Sequence, residues 1–130
     1  MFEELYHNMK PFGSLLPNVY TTSTEGDAAD LQGYNTIAAL IDVGIRTDGT
    51  HEFELKDSED NLSFEAVADD FLIGEEPLIS GSAQASQSYL VSYIGGKRYL
   101  RVDVDITGGS TGAKYSANIL RYLPHRGPVE

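Results

Sequence analysis

The segment from Tyr89 to Ile106 limits the possible folds more than any other stretch of this chain. Two apolar-alternating runs flank a Gly95-Gly96 break. In the second run Leu100, Val102, Val104 and Ile106 fall on one face, and Tyr99, Arg101, Asp103 and Asp105 on the other. Only a period-2 strand with one buried face sorts residues in this way. Two such runs about a Gly-Gly break carry the signature of a β-hairpin. The segment sets the class as antiparallel β, and it contains no constellation that could do chemistry.

The rest of the chain repeats the pattern. Thr36 to Arg46 is a strand with Ile37, Ala39, Ile41, Val43 and Ile45 on one face. Ala38 and Leu40 make its other face partly apolar, so it is either covered on both sides or meets another subunit. Thr47-Asp48-Gly49-Thr50 is a turn with Asp-Gly at its centre. His51 to Lys56 follows, with Phe53 and Leu55 inward and Glu52, Glu54 and Lys56 outward. A charged turn, Asp57 to Asn61, leads towards Phe64 and Val67, and a distorted edge is expected around Phe71, Leu72 and Ile73. The last strand runs from Lys114 to Leu123 after a flexible hairpin loop, Gly108-Gly109-Ser110-Thr111-Gly112.

Short strands with turns at this spacing predict one antiparallel β-sandwich or jelly-roll-like domain. Its expected core is Ile37, Ile41, Val43, Phe53, Leu55, Phe64, Val91, Leu100, Val102, Val104, Tyr115 and Ile119. Residues 14–123 form this body, with residues 1–13 as an N-terminal arm and 124–130 as a tail. Phe2, Leu5, Tyr6 and Met9 have spacings compatible with two helical turns before Pro11. Residues 14–35 read as a short edge strand and a loop.

The chain of 130 residues has no cysteine, which removes disulfides and thiolate metal sites. No window reaches the roughly 18 apolar residues of a membrane span, and the charged start does not read as a signal peptide. Cytosolic synthesis is expected. The net charge of −11 is uneven: residues 1–80 hold 3 basic and 17 acidic side chains, and residues 81–130 hold 6 and 3. Such a surface repels nucleic-acid phosphates. Solubility explains it most simply, and complementarity to a basic partner is the sharper reading.

Catalytic and metal chemistry finds no support in the residue pattern. His7, His51 and His125 are far apart, and His51 reads as an exposed or half-buried structural residue. Asp57-Ser58-Glu59-Asp60-Asn61 offers oxygens of the kind calcium takes, but lacks the Gly and distal Glu of an EF-hand. A solvated turn is the plainer reading. The 108–112 loop lacks the Gly-Lys-Ser/Thr ending of a phosphate cradle and no helix follows it. Lys97, Arg98, Tyr99 and Arg101 form a small basic–aromatic patch, expected to pair with Asp103 and Asp105. No catalytic residue, cofactor or metal is assigned.

Ile41-Asp42-Val43-Gly44, Thr47-Asp48-Gly49-Thr50-His51, Asp57-Ser58-Glu59-Asp60-Asn61-Leu62-Ser63-Phe64, Tyr93-Ile94-Gly95-Gly96-Lys97-Arg98-Tyr99-Leu100-Arg101-Val102 and Pro124-His125-Arg126-Gly127-Pro128 occur in that order. Over residues 36–129 this resembles a family of small tailed-bacteriophage virion proteins that includes capsid decoration (cement) proteins. The resemblance implies a β-rich subunit without catalysis, often trimeric, on the outer surface of the head, with the major capsid protein and itself as partners. Avidity through oligomerisation suits shallow lattice contacts. Phe2, Leu5, Tyr6, Met9, Phe12, Leu123, His125 and Arg126, in the arm and tail, are the contact candidates. Two alternatives stand beside it: a tail or head-completion component, and a carbohydrate-binding sandwich using Tyr89, Tyr93, Tyr99 and Tyr122.

Overall fold

The computed structural model describes residues 8–122. Its strands are β1 (Met9–Tyr20), β2 (Thr24–Glu25), β3 (Ala29–Asp30), β4 (Thr36–Arg46), β5 (Thr50–Ser58), β6 (Glu65–Ala66), β7 (Leu72–Ile73), β8 (Leu78–Ile79), β9 (Gln87–Tyr93), β10 (Tyr99–Thr107) and β11 (Ala113–Tyr122). They build the expected all-β sandwich from two antiparallel sheets. Sheet A has the order β1-β11-β4-β9-β7, and sheet B the order β2-β10-β5-β6 with β3 beside β10 and β8 beside β5.

The alternation read from the sequence puts the inward residues where they were expected. Eleven of the twelve expected core residues are buried, among them Ile41, Phe53, Leu55, Val91, Leu100, Val102 and Ile119. The twelfth, Phe64, is half-buried and lies beneath the Arg101 guanidinium, 4.2 Å from ring centroid to carbon. Leu15 from β1, with Leu31, Val67 and Ile79 from the short strands and their flanks, completes the core.

Pairing differs from the expectation. The Tyr89–Ile106 segment is not a hairpin: β9 pairs with β4 and β7 in sheet A, whereas β10 pairs with β5 in sheet B. The Gly95-Gly96 break is therefore an arch between sheets. The 108–112 loop is likewise an arch, from β10 to β11, and not a hairpin loop. Each strand of an arch still buries one face, so the alternation is the same in both cases.

Two further expectations are corrected. Met9 starts a strand, not the end of a helical turn, and β1 runs through Pro11 and Pro17 to Tyr20. It is the edge of sheet A, where a missing N–H need not break a ladder bond. Ile45 is exposed, not inward. The β4–β11 register slips between Val43↔Tyr115 and Arg46↔Ala113, an extra residue on β4 that reverses the alternation after Val43.

Candidate interaction surface

The titratable groups most displaced from their ordinary values are engaged with the fold itself. Asp48, in the β4–β5 turn, receives backbone N–H bonds from Ser110, Thr111 and Gly112, the last at 2.7 Å, and the Ser110 hydroxyl. These donors, Gly112 first, hold its carboxyl down at about 2. The glycine-rich loop does cradle an anion, and that anion is a side chain of the same protein. Asp60 repeats the device within the 57–61 turn: Ser63 and Leu62 N–H groups and the Ser58 hydroxyl lower it to about 2.

Two buried polar pairs sit deeper. His51 is fully buried, correcting the exposed or half-buried expectation. Its Nδ1 lies 2.9 Å from the Tyr115 hydroxyl and its Nε2 3.0 Å from the Asp48 carbonyl. The role is structural, and its shared parity with Phe53 and Leu55 was the signal for an inward ring. Tyr93 donates to Asp57 Oδ2 at 2.7 Å, and burial followed by this bond raises its hydroxyl pKa. Lys97 Nζ stands 3.7 Å from the same carboxylate. Among the described residues no three His, Asp or Glu side chains converge as a metal site would require.

The charge asymmetry along the sequence becomes pairing in space. Arg98 forks onto Asp30 at 2.9 Å, and Arg101 reaches Glu25 at 3.4 Å and Asp103 at 3.0 Å. The Arg101 Nε–H points off the Asp103 oxygen, and the hydrogen bond of this pair runs from Nη2 to Asp103 Oδ2 at 3.2 Å. Asp105 is not part of this cluster, contrary to expectation; it accepts from Ser23. On the outer face of sheet B, Asp105 stands opposite Glu52 and Asp103 opposite Glu54, with Glu25 beside Asp103. Lys56 reaches Asp103 at 3.5 Å and Glu54 at 3.9 Å, so the middle of that face is ion-paired and its acidic end is the row of Glu52 and Asp105.

Sheet A presents a different outer face. The register aligns Pro11, Leu120, Ala38, Ser92 and Ile73 in one row across β1, β11, β4, β9 and β7. The next row is Gly13, Asn118, Leu40 and Leu90. Leu16 folds over this row, its Cδ2 only 2.9 Å from where a Cβ on Gly13 would sit. Leu90 and Ile73 are each 60% exposed, and Phe71 and Ile94 continue the patch beyond the β7–β9 edge. The half-apolar outer face predicted for β4 from Ala38 and Leu40 is thus part of a broad apolar surface.

The four tyrosines do not share a face. Tyr93 is buried, Tyr89 points into the core of sheet A, and Tyr99 belongs to sheet B beneath Arg98. Of the contact candidates, Met9 opens β1 and Phe12 packs on the core under Arg121. Phe2, Leu5, Tyr6, Leu123, His125 and Arg126 lie outside the described residues. Met9 pairs with Tyr122, so the chain enters and leaves the described body side by side at one end of sheet A.

No family model matches the sequence, and no curated protein matches it. Among solved structures, the chain is similar to the crystal structure of SPBc2 prophage-derived protein YomS. The likeness has a TM-score of 0.60 at 15% identity and covers 89% of this chain and 94% of that one. The two share a fold over nearly their whole lengths.

Proposed function

We propose that this protein is a structural subunit of a bacteriophage particle, a non-catalytic capsid decoration (cement) protein on the outer surface of the head. The observation that carries the reading is the fold shared end to end with a prophage-derived protein. The site chemistry supports it. Asp48, Asp60, Tyr93 and His51 are committed to loop, turn and core contacts.

The acidic end of sheet B, with Glu52 and Asp105, supplies a surface complementary to a basic capsid lattice. The segments that flank the described body, which hold Phe2, Leu5 and Tyr6 on one side and Leu123, His125 and Arg126 on the other, are a second anchor to the major capsid protein. The scattered tyrosines favour neither a sugar-binding face nor a stacking platform.

Electron microscopy of particles carrying the labelled protein is the deciding experiment. Label distributed over the outer head lattice is expected. Label confined to the tail or the head–tail junction would overturn the decoration role in favour of a tail or head-completion component.

A further inference from the structure

We propose that the outer face of sheet A is a self-association surface, on which the same face of a second copy packs sheet against sheet about a two-fold axis. A solvated antiparallel sheet normally alternates apolar inward with polar outward. Here Leu120, Ala38, Leu40, Leu90 and Ile73 all point outward on adjacent strands, within a chain whose mean hydropathy is only −0.25. Leu90 and Ile73 are exposed, with Leu120, Ala38 and Leu40 half-buried beside them, and contiguous apolar surface of this kind marks interaction sites.

Charge selects a second copy as the occupant. Outward positions of β4, β7, β9 and β11 carry one carboxylate and one ammonium, Asp42 and Lys114, so the face is close to neutral in a protein of net charge −11. Asp42 accepts from Ser88 on the same face at 2.9 Å. The acidic positions of sheet B lie on the opposite side of the sandwich. In a face-to-face pair the two acidic faces point away from each other, separated by three intersheet spacings of about 10 Å. That is well beyond a Debye length of about 8 Å, so they do not oppose association. Pairing through sheet B would instead bring Glu52 and Asp105 of both copies together.

The area is adequate. Five strands about 4.8 Å apart, from the two residues of β7 to the twelve of β1 and averaging about eight, give a face of roughly 650 Å² per copy. Standard interfaces bury about 800 Å² per partner. The right-handed twist of each sheet favours the aligned packing seen inside β-sandwiches. An isologous contact of this kind gives a dimer, in place of the trimer that the family resemblance implies.

The test is the mass of the full chain in solution. At about 100 μM, enough to saturate a micromolar interface, light scattering or sedimentation should give twice 14.2 kDa, about 28 kDa. Leu90→Arg places two arginines in each interface. It should weaken association at least tenfold with an unchanged circular dichroism spectrum, since Leu90 is not a core residue. Glu52→Lys on sheet B should leave the mass at 28 kDa. A monomer, a trimer near 43 kDa, or a dimer that survives Leu90→Arg would overturn the proposal. A dimer that ignores capsids would overturn the particle reading alone.

Discussion

The carboxylate of Asp48 lies 2.7 Å from the backbone nitrogen of Gly112, joining the β4–β5 arch to the β10–β11 arch across 64 residues of sequence. Gly112 adopts φ +83°, and a Cβ there would collide with the Tyr20 carbonyl, so β1, the arch and Asp48 meet at one glycine. The loop expected to be a flexible hairpin is instead held by four donors on one side chain.

Asp48→Asn should lower the urea midpoint at neutral pH and lose most of that effect in acid. The folded carboxyl titrates at about 2 against an ordinary 3.8, so its stabilisation is present above about pH 4 and disappears as pH falls towards 2. Urea titrations of both proteins from pH 7 to pH 2 measure this directly. A difference between them that stays constant to pH 2 would reject the charge-based account.

Tyr93→Phe removes the hydrogen bond to Asp57 at the base of the 95–98 arch and leaves that carboxylate to Lys97 alone. A cost of about 1–3 kcal/mol is expected from a buried acceptor losing its donor. Lys97 N–H also bonds the Tyr93 hydroxyl, so its amide should exchange faster in the variant. Equilibrium denaturation and hydrogen exchange at Lys97 check the two effects separately.

The elements most legible in the sequence are those with sustained alternation: β4, β5, β10 and β11, with their inward faces, in β4 as far as Val43. Alternation records which face is buried, not which strand lies alongside, so the arches at 95–98 and 108–112 read as hairpins. β1 reads short because Pro11, Gly13 and Pro17 interrupt its pattern, though an edge strand tolerates all three. Strands of two residues, such as β2 and β6, have no period to detect. The outer face of sheet A was partly visible through Ala38 and Leu40. Its extent depends on Leu90, Ile73 and Leu120 becoming neighbours, which only the strand order decides.

His51→Ala should cost about 2–5 kcal/mol, because it opens a cavity and removes the partner of the buried Tyr115 hydroxyl. The Asp48 carbonyl can only accept, so Nε2 carries the proton and Nδ1 accepts from Tyr115. Tyr115 also stacks on Tyr20 at 4.8 Å and meets Phe53 edge-on. Loss of the histidine should therefore change the near-ultraviolet tyrosine dichroism before the far-ultraviolet strand signal. Unchanged near-ultraviolet dichroism would show that His51 does not position Tyr115.

Ser14 clasps the two sheets where no strand pairing does. Its hydroxyl, on β1 of sheet A, accepts the Val102 N–H of sheet B at 2.9 Å and donates to the Asp27 carbonyl at 2.8 Å. The site is closed: Ser14 is 4% exposed, and a Cβ on Gly26 would strike both the Ser14 hydroxyl and the Val102 carbonyl. Ser14→Ala leaves a buried N–H on Val102 without its acceptor, which costs about 1–3 kcal/mol. Gly26→Ala should destabilise by a separate route, overpacking, at about 1–3 kcal/mol. The two changes touch the same atoms, so the double variant should lose less than the sum of the singles. Strict additivity in urea denaturation would show that Ser14 and Gly26 act independently and that the clasp is not a unit.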